Sequence, residues 1–474
     1  MIDKINLLLR KSYIPGIFRV VTLLSFFGLV MLGFTAYSTD RTFLLQLRNT
    51  NLGNLVVWSY WWPFIIITAI FFGRVWCFVC PVEMITSFFS KAGFRKKCPE
   101  WLRSGWGITI FYTIILFIGI RGLLVHRNPY MMAFYLFFIM VVSIVIGVIY
   151  EKNTFCRYFC PVGQLLGLYA KLSFFGWMVK DPEICQSCSD KSCISSNYTY
   201  NFSSKSCGVD LYPGKLDDNR YCILCTGCLK ACEKYNHKNI SGRPNPGIRY
   251  IGFASNFFKH KTLTMAEAFF VFVVSGFVVY EILSEWFVTK EILMYVPNLV
   301  KDYLNITNPL LSGLSESTIL FLFFPLLIWG LPFLIARLNG SSLGLSDYVR
   351  NFAIAFVPIM AASHLSKALL KSTSRIPYLG YVFSDINGIS TAQKIIDKTI
   401  LLQKLPEWVN WLVTILVSAA LIIGIALSLK AVRVTDEELS GSTSQSKAFY
   451  LIPVLYGSIF LITVLLWRWM RCEF

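Results

Sequence analysis

Apolar and polar positions in this chain alternate in long blocks, not at the short periods of a soluble amphipathic helix or strand. Nine blocks of about 17–25 mostly apolar residues are long enough to cross a bilayer as helices. They fall near residues 19–37, 57–73, 106–124, 131–150, 266–284, 317–336, 351–370, 408–429 and 448–467. The seventh is the weakest, because Pro358 and His364 interrupt it. Between the fourth and fifth blocks the chain turns to Ser, Asn, Asp, Gly and Lys, with Pro213-Gly214 and Pro244-Asn245-Pro246-Gly247 as turn punctuation. The pattern predicts an α-helical integral membrane protein of about nine transmembrane helices in three parts: a four-helix block over 1–150, a polar insert over 151–262 and a five-helix block over 263–474.

Composition agrees with this picture. The 474 residues are 55% hydrophobic and 15% charged, with a mean hydropathy of +0.58, too apolar for soluble domains of that length. The net charge is +18, and the placement of the basic residues sets the expected topology. Lys4, Arg10 and Lys11 lie at the N-terminus, six basic residues from Arg74 to Arg103 follow the second block, and the insert is rich in Lys. The loops at 38–56 and 121–130 each hold two Arg and no Lys. N-terminus and insert are therefore expected in the cytoplasm of a bacterial-type inner membrane, and nine spans would put the C-terminus outside. The first block is longer than a signal-peptide core and lacks a convincing cleavage site, so it is expected to stay as an anchor. The basic surface suits membrane lipid, and no nucleic-acid reader is visible.

Cysteine changes the picture most. Cys222, Cys225, Cys228 and Cys232 follow one another at spacings of three, three and four. A C-x2-C-x2-C run wraps a cubane iron–sulfur cluster, and the cysteine four positions on reaches a neighbouring one, whereas zinc sites favour two separated C-x2-C knuckles. Upstream, Cys185, Cys188 and Cys193 are followed by Cys207, so the insert holds two sets of four and two [4Fe-4S] clusters are expected. Crossed ligation would assign Cys185, Cys188, Cys193 and Cys232 to one cluster and Cys222, Cys225, Cys228 and Cys207 to the other. Ligation of each run by its own fourth cysteine competes with this. Gly227 suits the tight turn between two ligands. So small a module has little core of its own, and bound clusters would supply much of its folding energy. In a reducing compartment these thiols are not a disulfide framework.

A second cysteine pattern is duplicated at the ends of the second and fourth blocks: Cys77-Phe78-Val79-Cys80-Pro81 and Cys156-Arg157-Tyr158-Phe159-Cys160-Pro161. Both pairs are expected at the same membrane face and could converge across a pseudo-twofold. The bland account is that Pro merely ends a helix while Cys packs as a small apolar residue. Duplication favours function: a thiol pair, an additional metal or an additional cluster, with Cys98 as a fifth thiol.

At these residues the chain resembles the membrane polyferredoxins of the NapH, NosR and CcoG type, over about residues 57–235. The resemblance implies a cytoplasmic ferredoxin-like (α+β) two-cluster insert and carries cluster ligation to its eight cysteines, and the family's C-x3-C-P motif to Cys156 and Cys160. It implies electron transfer between a quinol pool or cytosolic donor and a partner oxidoreductase or cytochrome, with quinone as a candidate small-molecule partner. Three departures stand out: Cys77 and Cys80 are one residue closer than that motif, the first ferredoxin run is stretched at Cys193 and Cys207, and Glu233 follows Cys232 where ferredoxins usually have Pro. The flavin-bearing domain of some relatives has no counterpart before residue 19.

Weaker signals remain. Of the four histidines, at 126, 237, 260 and 364, no two share a block, which leaves a bis-histidine haem unsupported. His364 and Lys367 inside a membrane segment point to a quinone contact or proton relay, against a helix-end histidine bonded to a neighbour. Glu267, Glu281 and Glu285 read as interfacial, and Trp58, Trp61 and Trp62 as an aromatic belt. No catalytic triad, P-loop or dinucleotide fingerprint stands out, so an electron-transfer component without its own catalytic centre is expected. The rival readings are a copper-reducing or metal-assembly factor using the paired cysteines, a membrane redox sensor, and a transporter.

Overall fold

In the computed structural model the described residues are 2–11, 13–195, 206–232, 245–259, 262–440 and 447–467. These residues are mostly helical, and among them eight helices are long and apolar enough to span a membrane: Pro15–Phe34, Leu52–Phe72, Pro129–Ile149, Met265–Leu283, Pro309–Leu338, Leu345–Val382, Glu407–Leu439 and Lys447–Leu466. The third expected block, near 106–124, forms a shorter apolar helix, Trp106–Gly122. This is a multi-pass membrane protein.

The seventh block is not broken by its proline and histidine. Helix Leu345–Ser374 runs unbroken through Pro358 and His364, and is among the most buried in the protein. Proline in a membrane helix is tolerated where neighbouring groups satisfy the backbone it frees. Here the Ser428 hydroxyl donates to the Ala355 carbonyl in the preceding turn.

Contacts divide the chain into two compact units. The first comprises 1–31, 67–108 and 136–259, the second 32–66, 109–135 and 260–474. In the first, the antiparallel strands β1 (Phe175–Val179) and β2 (Pro246–Tyr250) pair Phe175 with Tyr250 and Val179 with Pro246. The N-terminal helix Ile2–Arg10 docks on β2 through Asp3, which accepts from Arg249 Nη1 at 3.1 Å, and through Asn6, which mimics a strand: Asn6 Nδ2 donates to the Ile248 carbonyl and Asn6 Oδ1 accepts from the Ile248 amide, at 3.1 and 2.9 Å.

The second unit is built on close helix contacts at small residues. A Cβ on Gly276 would lie 2.5 Å from the Pro325 ring and 2.6 Å from the Leu320 carbonyl oxygen, and one on Gly424 would lie 2.7 Å from the Ala362 Cβ. Lipid tails are as apolar as leucine, so such helices associate through packing and polar contacts, which small residues permit. Arg121 adds a polar tie: it pairs with Glu316, donates to the Tyr280 hydroxyl at 2.7 Å and lies 4.8 Å from that ring's centre. Glu267, expected at the interface, forms a capping box with Thr264 at the start of helix Met265–Leu283.

Replacing Gly276 by leucine should force this packing apart and destabilise the protein by about 1–3 kcal/mol. A lowered thermal midpoint of the purified protein in detergent, with helix content retained below it, is the expected result.

Candidate functional site

The Cys-Pro motifs have a common local structure. Gly73, at φ +73°, ends the second span; the short helix Val75–Val79 follows, Cys80 is the N-cap of helix Pro81–Ala92, and Pro81 is its first residue. The second motif repeats this with helix Thr154–Tyr158, N-cap Cys160 and helix Pro161–Tyr169. Proline at the first helical position costs no hydrogen bond and starts a helix, so here Pro81 and Pro161 begin helices as well as closing the preceding ones. The first-turn amides of these helices lack intrahelical acceptors. They find the cysteine sulfur: Gly163 N–H donates to Cys160 Sγ at 3.3 Å, and the backbones of Glu83 and Val82 bond Cys80. The unequal spacing is absorbed at Phe159, the C-cap of the short second helix, so Cys77 and Cys156 both sit in the helix before the N-cap cysteine.

The four thiols share one electrostatic environment. Burial, then Glu83, Cys160, Cys80 and Cys77, push Cys156 well above the ordinary thiol range, and burial followed by Cys77 raises Cys160 to about 11. Arg74, only 4% exposed, stands against them. Burial opposes its charge, but Cys77, Cys160 and Cys156 outweigh burial and hold the guanidinium above its ordinary value. Around the thiols lies a polar lattice that motif reading misses. Asn153 Nδ2 donates to Glu83 Oε1 at 2.9 Å, Arg19 Nη2 lies 3.5 Å from Glu83 Oε2, and Arg19 Nε and the Thr22 hydroxyl donate to the carbonyls of Phe78 and Val79. Arg74, Glu83 and Asn153 each stand three residues from a motif cysteine, which is the sequence signal that could have found them. Cys98 does not join this group; its charged neighbours are Arg103, Glu151 and Asp210.

In the insert the structure brings the cysteines together in the crossed arrangement. The thiol neighbours of Cys193 are Cys232, Cys185 and Cys188, and burial followed by these raises it to about 12. Those of Cys228 are Cys207, Cys225 and Cys222, and burial with them raises it well above the thiol range. Gly227 is needed for a reason other than turn conformation: a Cβ there would lie 2.1 Å from the Ser206 carbonyl oxygen, so its absence lets the Ser206–Cys207 segment reach the second run. The left-handed residues of that loop are instead Leu224 and Thr226, at φ +54° and +64°, a conformation that costs a non-glycine residue roughly 1–2 kcal/mol. Cys207, Cys222, Cys225 and Cys228 line one small cavity with Trp177, Val209, Leu211, Pro213 and Leu216 among its walls.

These residues fit iron–sulfur clusters on three observations. Each set holds a thiol, Cys193 in one and Cys228 in the other, whose ionisation burial and neighbouring thiols oppose, so a cationic core is what would hold it as a thiolate. N–H donors already point at sulfur: Trp177 Nε1 to Cys228 at 3.2 Å, the Leu211 amide to Cys207 at 3.4 Å and Asn245 Nδ2 to Cys185 at 3.4 Å. Each set is all sulfur, the donor type such clusters take.

The sets also pack in series. Cys193 joins Cys222 and Cys228 around Trp177 and Leu229, while Cys207 and Cys225 join Cys77, Cys156 and Cys160 around Phe155. The Cys207 amide donates to the Cys193 carbonyl at 2.7 Å, and Arg74 donates to the Arg220 carbonyl at 3.1 Å.

The family described as a 4Fe-4S binding domain matches residues 54–109 and 132–181. The match takes in both Cys-Pro pairs and ends before the insert's cysteines. An uncharacterized protein of Methanocaldococcus jannaschii is 26% identical over 177 residues, 36% of this chain and 65% of that relative, so this chain covers slightly under two thirds of its length. No solved structure matches. With the apolar helices, the match supports 4Fe-4S binding by this part of a multi-pass membrane protein.

Gly227→Ala should push the Ser206–Cys207 strand away and empty that set. Counting iron and acid-labile sulfide in anaerobically purified protein should show about four of each lost per chain, the content of one cubane.

Proposed function

We propose that this chain relays electrons through three [4Fe-4S] stations in its first unit, held by Cys185, Cys188, Cys193 and Cys232, by Cys207, Cys222, Cys225 and Cys228, and by Cys77, Cys80, Cys156 and Cys160. The single observation behind the reading is the packing in series of three four-thiol sets, with the middle set sharing an apolar cluster with each of the others. Bound clusters would supply one-electron centres whose potentials depend on charge, hydrogen bonding and solvent exposure. The chain's own residues order and tune them. Arg74 offsets the negative charge of the Cys-Pro set, Trp177 donates to Cys228, and the insert's first set, its cysteines only partly buried, faces a soluble donor or acceptor.

In this reading the insert lies in the cytoplasm of a bacterial-type inner membrane, following the distribution of Lys and Arg. The other end of the relay exchanges electrons with a quinol pool or a partner oxidoreductase or cytochrome. The resemblance to the NapH, NosR and CcoG type supports the same direction of search.

Anaerobically purified protein should contain about twelve iron atoms and twelve labile sulfides per chain, and three reducible signals in low-temperature electron paramagnetic resonance. Cys156→Ala with Cys160→Ala should remove one signal and leave two. Stoichiometric zinc or copper without labile sulfide would overturn the reading, and copper at the Cys-Pro set alone would turn it towards metal handling.

Trp177→Phe should keep every cluster and lower one midpoint potential. Loss of a hydrogen bond worth about 0.5–1.5 kcal/mol corresponds to roughly 20–60 mV for one electron, read in a redox titration.

A further inference from the structure

The second unit gathers charge that electron transfer through cysteines does not use. Helix Leu345–Ser374 carries His364, Lys367 and Lys371 on one face, with Arg375 at its C-cap. Lys367 pairs with Glu285 and donates to the Glu281 carbonyl at 2.8 Å, and His364 Nε2 lies 3.0 Å from Glu281 Oε2. His364 is thus held in mid-helix by a carboxylate of helix Met265–Leu283, and both carboxylates are engaged.

Other arginines and lysines gather beside these groups. Arg48, at the end of helix Arg41–Thr50, lies in the field of Arg375, Arg127 and Glu285, and burial followed by the two arginines lowers it to about 10. His126 lies in the field of Arg127, Lys371, Arg48 and Lys367, and burial followed by these cations keeps its imidazole neutral. Five basic side chains, Arg48, Arg127, Lys367, Lys371 and Arg375, therefore stand against two carboxylates, Glu281 and Glu285, and positive charge is in surplus. Burying uncompensated charge in an apolar protein is expensive.

The same place has donors without acceptors. Arg127 Nε donates to His126 Nε2 at 3.0 Å, which leaves the proton of the neutral ring on Nδ1, and that atom is buried with no partner. Arg48 Nε, Arg375 Nε and Trp58 Nε1 are likewise buried without an acceptor, and Lys371 Nζ stands 5.9 Å from the centre of the Trp58 ring. Trp58 is turned to a cation here, where a lipid-facing belt was expected. Four buried donors without acceptors, among neighbouring cations, call for a ligand made of acceptor oxygens with negative charge. Two guanidinium groups favour a forked oxyanion, and basic pockets between membrane helices take phosphate headgroups.

We propose that Arg48, Trp58, His126, Arg127, Lys371 and Arg375 form a binding site for a phosphate oxyanion, supplied either by an anionic phospholipid headgroup or by soluble phosphate. The proposal does not depend on the cluster assignment.

The test uses the full chain in phosphatidylcholine nanodiscs, with phosphatidylglycerol in the bilayer in one arm and inorganic phosphate in the buffer in the other. Thermal midpoint and phosphorus-31 line broadening are the readouts. A concentration-dependent rise in midpoint is expected in one arm; a response to phosphatidylglycerol alone identifies a headgroup, and a response to inorganic phosphate identifies a soluble anion. Arg48→Gln and Arg375→Gln should each weaken the response at least about tenfold. Arg433→Gln, which alters an exposed pair with Glu437, should leave it unchanged. If a variant misfolds, the wild-type line broadening alone decides. No response of wild type in either arm beyond matched phosphatidylcholine and chloride, or a response that survives in the folded Arg48→Gln/Arg375→Gln double variant, would overturn the proposal.

Discussion

Buried thiols packed beside one another resist ionisation, and that is the constraint under which the cysteines of the first unit are placed. Burial raises each thiol whose ionisation is perturbed, and its neighbours raise it further. The polar groups placed around the sulfurs are almost all donors: first-turn amides at Cys80 and Cys160, the Trp177 indole, the Asn245 amide and the Arg74 guanidinium. A donor-rich surrounding favours thiolate and raises the potential of a cluster it touches.

Proline gives the two Cys-Pro motifs their shape. As the first residue of a helix it leaves the N-cap position to cysteine, and at Cys160 the sulfur takes the place usually filled by a serine or aspartate oxygen. Arg19 and Thr22 of the first span fasten the carbonyls of Phe78 and Val79, and Glu83 ties that span to Asn153 of the second motif. These supports come from three distant parts of the chain, so the geometry of the thiols depends on membrane helices as much as on the cysteine loops.

The second unit handles polarity by the opposite rule. In the first unit, acids and amides orient thiols. In the second, cations and tryptophan accumulate at the end of one long helix, with carboxylates too few to balance them. Glycine contacts such as Gly276 against Pro325 bring the helices close enough for those groups to meet.

Helix positions, the duplicated Cys-Pro pairs and the two insert runs were legible in the sequence, because each depends on local apolar length or on cysteine spacing within a few residues. The partner of each insert run was not. Crossed and local ligation share the same spacing, and what selects the crossed arrangement is the bare backbone of Gly227, which admits Ser206 and so carries Cys207 to the second run. Nor did spacing show that Phe159 absorbs the extra residue of the second motif, that Cys98 lies among charges and away from the other thiols, or that Trp58 and His364 turn inward. Those outcomes depend on side chains far apart in the chain meeting in space, and hydropathy and motif patterns carry no record of which distant groups will be neighbours.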